Sequence, residues 1–156
     1  METTVYTRDT GKLVYFSDAY AKIVAIMDLA EKYYPKGKFK HASRVAGFAT
    51  KDAQTRIDVD TAAAFIVGIA HDLLEDTECS KDELEKAIGT SLLKSVVILT
   101  KDVDETYDEY IKSVLSSGDP LAILVKRADM KDHFMQEDTL TEKLIKKYLP
   151  HIKEFL

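Results

Sequence analysis

Apolar residues return at steps of three and four along most of this chain, the spacing of one face of an α-helix, and no segment sustains the alternation of a half-buried strand. Residues 1 to about 15 are polar and aromatic without period, so a loosely docked lead-in is expected there. Ser17 can cap a first helix striped by Ile23, Val24, Ile26, Met27 and Ala30, which should stop near Tyr34, ahead of Pro35 and Gly37. A second helix is expected from Phe39 to Ala49, with Val45 and Phe48 facing inward. Residues 50 to 57 are polar. Asp58 or Asp60 then caps a core helix that contains the unbroken apolar run Ala62 to Ala70 and reaches Glu75. Ser80 and Glu83 have the spacing of a capping box for a fourth helix ended by Gly89, and a fifth runs from Thr90 or Ser91 to Thr100. Thr106 to Ser116 makes a sixth. Asp119-Pro120 opens a seventh through Asp129 toward His133, and Thr139 with Glu142 boxes a last one ending near Pro150. The pattern predicts an all-α bundle of about seven or eight helices in a single domain over residues 1–156.

Composition changes this picture little. At 156 residues, with 46% hydrophobic and 31% charged positions, the chain can bury one substantial core. A net charge of −5 argues against a dedicated nucleic-acid binder, while leaving room for a local basic funnel. The longest apolar runs, about ten residues, fall short of the roughly 20 that span a bilayer, and the N-terminus lacks a basic-then-apolar signal. Cys79 is the only cysteine, so no internal disulfide can form, which fits a reducing cytoplasm.

Chemistry concentrates where the apolar run ends. His71, Asp72, Glu75 and Asp76 fall within six residues, and charge at the end of a buried helix needs a counter-ion, for which a divalent metal is suited. Neighbouring helical residues diverge by about 100°, so His71 and Asp72 could grip only one side of an ion, and other helices must complete the set. His41 lies upstream. Downstream, Ile123 to Asp129 repeats the design of an apolar run ending in an acid. His41, His71, Asp72 and Asp129 together offer two imidazoles and two carboxylates, a mixed donor set suited to Mn, Fe or Zn better than to Ca or Mg.

These residues, His41, then His71-Asp72-x-x-Glu75-Asp76-Thr77, Thr100-Lys101 and Val125-Lys126-x-Ala128-Asp129, resemble the HD-domain phosphohydrolases and, within them, the RelA/SpoT-type (p)ppGpp hydrolases. The likeness runs from about Phe39 to Tyr148. It implies an HD-domain helical bundle in which His41, His71, Asp72 and Asp129 hold one Mn²⁺, with Fe²⁺ or Zn²⁺ as alternatives, while Glu75 and Asp76 serve catalysis. The implied activity is metal-dependent hydrolysis of a nucleotide phosphate ester, first of all the 3′-pyrophosphate of (p)ppGpp. A general HD phosphohydrolase acting on nucleoside monophosphates or other nucleotides, and a metal or nucleotide sensor without turnover, are the alternatives.

Arg44, Lys40, Lys101 and Lys126 are candidate cations for the substrate phosphates, and Tyr107 and Tyr110 could stack on a base or serve as packing. The expected partner is a small-molecule nucleotide, with no nucleic acid and no membrane, and a homodimer stays open. Three departures from the hydrolase branch stand out. Ala42 replaces its usual proline, and His133 replaces its usual asparagine. The expected Arg-Lys pair before His41 gives way to scattered Lys32, Lys36, Lys38 and Lys40. Four residues beyond Asp129, His133 shares its helical face; a substrate contact is expected there rather than a fifth ligand.

Overall fold

A computed structural model describes residues 3–7, 13–136 and 138–155, and among these it contains eight α-helices, a closing 3₁₀ turn and one hairpin. The hairpin corrects the expected lead-in. Thr3–Thr7 (β1) and Leu13–Ser17 (β2) pair antiparallel, with Val5 opposite Tyr15. Threonine, valine and tyrosine favour pleated backbone, a local signal that a search for two-residue alternation overlooks.

α1 (Asp18–Tyr33) follows β2 directly, and α2 (Lys36–Ala53) opens with Pro35 at its N-cap. α2 outruns the expected Phe39 to Ala49 because Ala42, Ala46, Ala49 and Ala53 form a buried stripe at helical spacing that carries it through the polar stretch. Asp60 caps α3 (Thr61–Ala70) by accepting the Ala63 amide at 2.9 Å.

The core helix does not continue to Glu75 as expected. It pauses at His71 and Asp72 (Asp72 φ −102°, ψ −1°), and a single turn, α4 (Leu73–Asp76), carries the acids. His71 Nδ1 donates to the Gly68 carbonyl at 2.7 Å, the carbonyl that in an unbroken helix would accept the Asp72 amide.

Capping boxes at Ser80/Glu83 and Thr106/Glu109 open α5 (Lys81–Leu99) and α6 (Tyr107–Ser116). The expected break at Gly89 is a kink inside α5, where φ of +83° suits glycine. Asp119 caps α7 (Pro120–Met135), which runs past His133. Thr141, not Thr139, caps α8 (Glu142–Tyr148), and Ile152–Phe155 closes the chain as a 3₁₀ turn.

α3 and α7 are the interior helices. Ile66, Val67 and Ile69 of α3 meet Leu124, Val125 and Ala128 of α7 in one buried cluster that also takes in Ile26, Val45, Leu84, Ile88 and Ile111. Each large aliphatic buried there contributes roughly 1.5–3 kcal/mol of transfer free energy. No helix among the described residues is long and apolar enough to cross a membrane.

Candidate metal centre

The centre depends on a close crossing of α2 and α3, at which Gly68 puts no side chain against Ala46. A Cβ built on Gly68 would lie 2.6 Å from Ala46 Cα and 3.1 Å from its amide nitrogen, so only glycine permits the approach. That crossing sets the His41 and His71 rings 5.3 Å apart, edge to face. α7 lies against both helices and presents Lys126, Asp129, Asp132 and His133 to them.

Asp129 is the focus. Its Oδ1 lies 3.1 Å from His41 Nε2, 3.2 Å from His133 Nε2 and 3.7 Å from His71 Nε2, while Oδ2 accepts from Lys126 Nζ at 2.8 Å. Asp72 Oδ2 closes the other side at 3.3 Å from His71 Nε2 and 3.8 Å from His41 Nε2. Ligand atoms of His41, His71 and Asp129 all fall within 4.8 Å of one another, close enough to share one ion.

The outer nitrogens of the two rings fix what the inner ones can do. His41 Nδ1 lies 2.7 Å from Asp132 Oδ2, and a carboxylate only accepts, so that nitrogen carries the proton. His71 Nδ1 likewise donates to the Gly68 carbonyl. In the neutral rings both Nε2 atoms are therefore bare lone pairs. Both are buried, and among the described residues neither finds a hydrogen bond of acceptable geometry although carboxylate oxygens stand beside them. Lone pairs facing carboxylates repel unless a proton or a cation sits between, and rings backed by a carboxylate and a carbonyl are the usual support of metal ligands. The donor set thus fits a divalent transition metal.

The same conflict shows in proton affinities. Burial works against charge on both rings, yet Asp129 outweighs it at His41, and Asp72 with Asp129 outweighs it at His71, so both are raised, His71 well above its usual value. Burial likewise opposes ionised Asp129, but Lys126 and the three imidazoles hold its carboxyl well below the usual range. Glu75 shifts the other way. Burial raises it, the Lys101 backbone amide pulls it down, and the charges of Asp72 and Asp76 add to the rise.

A cleft of about 310 Å³ opens over the centre. Glu75 and Asp76 both line it. Glu75 Oε1 accepts the Lys101 amide at 2.7 Å, and Asp76 Oδ2 receives Lys38 Nζ at 2.6 Å. Of the expected cations, Lys101 and Lys126 line the cleft, but Lys126 is buried and engaged with Asp129. Arg44 does not line it. Its guanidinium holds Asp132 through contacts of 2.7 and 3.1 Å, because a carboxylate behind His41 needs its own counter-charge. Lys40 is exposed and also stands outside the lining. Tyr110 is packing, buried with its hydroxyl donating to the Leu99 carbonyl at 2.7 Å, whereas the buried Tyr107 hydroxyl has no hydrogen-bond partner among the described residues.

Asp132, Lys147 and Lys38, the last among the scattered lysines ahead of His41, complete the picture. Asp132, 1% exposed, backs His41; the matched spacings His41/Arg44 and Asp129/Asp132 on two facing helices were the available signal. Lys38 bridges Asp76 and, at 4.0 Å, Asp72. Lys147, over the rings of Tyr107 and Tyr148, faces the cleft from α8; no local motif marked it.

Neither a family model nor a curated protein matches this sequence. Among solved structures, the chain aligns with a metazoan ortholog of SpoT that hydrolyzes ppGpp and plays a role in starvation responses. The TM-score is 0.65 at 18% identity, over 91% of this chain and 85% of that one. The chain has that protein's fold. What is shared is the arrangement of backbone; the donor set above belongs to this chain's own side chains.

Proposed function

We propose that this chain is a metal-dependent phosphohydrolase acting on a nucleotide, with the 3′-pyrophosphate of (p)ppGpp its first substrate. The observation that carries the reading is the pair of buried Nε2 atoms on His41 and His71, without hydrogen bonds and beside Asp129 and Asp72, at the foot of a lysine- and tyrosine-lined cleft. The fold shared with a ppGpp hydrolase supports the choice of substrate.

His41, His71, Asp72 and Asp129 would hold the ion, most simply Mn²⁺. When bound, such an ion supplies Lewis acidity, lowers the pKa of water toward ~7 and offsets charge building on phosphate. Glu75 is the base that takes the water proton. Its half-buried carboxyl is already raised, and the Lys101 amide fixes one oxygen so that the other faces the reaction. Asp76, oriented by Lys38, positions the water. Lys38, Lys101 and Lys147 line the cleft as cations for the phosphates, and the ring of Tyr107 offers an apolar face for a base.

Purified protein with added Mn²⁺, offered (p)ppGpp and a panel of nucleoside mono-, di- and triphosphates, should release pyrophosphate from (p)ppGpp, and His71→Ala should not. Release of inorganic phosphate from other nucleotides alone would replace the substrate and keep the chemistry. No release from any would remove the hydrolase reading.

A further inference from the structure

His133 leaves the same face of α7 as Asp129, and the helix continues to Met135, so the two side chains are held at a fixed offset. Asp129 Oδ1 has three imidazole nitrogens around it: His41 at 3.1 Å, His133 at 3.2 Å and His71 at 3.7 Å. The His133 ring lies 4.8 Å from that of His41 and stacks on Tyr148 at 5.0 Å and 16°, an arrangement that holds the ring plane with its nitrogen edge toward the centre. Its side chain is 28% exposed, so it stands at the mouth of the centre, between the buried ligands and the cleft.

Asp129 Oδ1 is thus common to all three rings, while its other oxygen is taken by Lys126. His41, His71 and Asp129 place donor atoms within 4.8 Å of one another, and His133 Nε2 stands 3.2 Å from the carboxylate oxygen of that group. We propose that His133 is a further ligand of the ion held by His41, His71 and Asp129, giving this centre a third imidazole where the resembled hydrolases carry an amide. The proposal rests on the metal-centre reading above. A third nitrogen donor shifts preference from manganese toward iron, cobalt or zinc, and leaves the ion one position fewer for water and substrate.

Cobalt(II) tests this on the full chain without reliance on turnover. In the wild-type protein, paramagnetically shifted proton resonances should fall into three histidine sets; two sets would overturn the proposal. His133→Asn and His133→Gln, both at a partly exposed position, should each change the visible bands of bound cobalt and weaken its affinity by ~10-fold or more in chelator competition, with manganese affected less. Unchanged bands and affinity in both variants would overturn it, and weakened binding of guanosine 5′-diphosphate to those variants would then make His133 a substrate contact. His71→Ala separates the two levels of inference. Loss of cobalt there, with both His133 variants normal, refutes only the third imidazole; stoichiometric cobalt retained in His71→Ala refutes the centre itself.

Discussion

Gly68→Ala is the sharpest test of how packing builds the centre. The new methyl carbon would stand 2.6 Å from Ala46 Cα and 3.1 Å from both Ala46 N and Ala46 Cβ, and two of these three atoms are backbone, so no rotamer can relieve the clash. Ordinary carbon contact needs about 3.5–4.0 Å, so α2 and α3 must separate by roughly 1 Å. Overpacking of this kind costs about 1–3 kcal/mol, offset by up to ~1 kcal/mol from alanine's better helix propensity. For a chain of this size, a net loss of about 1–2 kcal/mol lowers Tm by roughly 2–8 °C. The same separation pulls His41 away from His71 and Asp129. Thermal melts without metal and chelator competition for Mn²⁺ read the two effects, and both should worsen together. Ala46→Gly in the Gly68→Ala background removes the Cβ contact and should restore only part of each loss, since the backbone contacts remain. A variant as stable as wild type with undiminished metal affinity would refute the claim that this crossing sets the histidine spacing.

Three other outcomes follow from the site. Glu75→Gln should keep the metal and lose ~10² or more in turnover, measured as pyrophosphate release, if the carboxylate takes the water proton. Asp132→Asn should weaken metal binding by ~10–100-fold in chelator competition, because an amide can donate to His41 Nδ1 and turn the wrong tautomer toward the centre. Metal affinity should fall on acidification, by up to ~10-fold per pH unit for each proton displaced, because His41 and His71 have raised proton affinity in the metal-free chain. The sign for stability is opposite. Raised histidines stabilise the metal-free fold below the unfolded value of about 6.5, and that contribution fades as pH climbs through the raised values, so metal-free melts should worsen toward alkaline pH as metal-loaded ones improve.

What was legible in the sequence was local. Asp119-Pro120 and the Ser80/Glu83 box each act within a turn of chain and do in the fold what their spacing implies, while Gly89 kinks α5 where a break was expected. Of the mixed donor set His41, His71, Asp72 and Asp129, the fold brings donor atoms of His41, His71 and Asp129 within 4.8 Å of one another, with Asp72 Oδ2 3.3 Å from His71 Nε2. The β1–β2 hairpin escaped because strand propensity without alternation carries little signal. The pause at His71 escaped for another reason: it depends on a side chain competing for the Gly68 carbonyl, which helical periodicity cannot register. Arg44 read as a phosphate cation because its neighbour across the helix pair, Asp132, is 88 residues away and visible only in three dimensions.

The placement of charge around the centre has its own logic. Three acids around the site each have one oxygen engaged by a fixed group, Asp129 by Lys126, Asp76 by Lys38 and Glu75 by the Lys101 amide, whereas Asp72 Oδ2, which faces the imidazoles, has Lys38 at 4.0 Å. Asp132, further out, is engaged on both oxygens by His41 and Arg44. Such partners reduce the repulsion among the crowded carboxylates, and at Asp129 the partner leaves Oδ1 to the imidazoles. The fold therefore holds Asp129 Oδ1 and the Nε2 atoms of His41 and His71 together without an ion, with Asp72 Oδ2 beside the His71 ring. Because those groups come from α2, α7 and the turn after α3, their convergence is a property of helix packing. A substitution at Gly68, which bears no donor atom, can therefore loosen the centre without touching any of its candidate ligands.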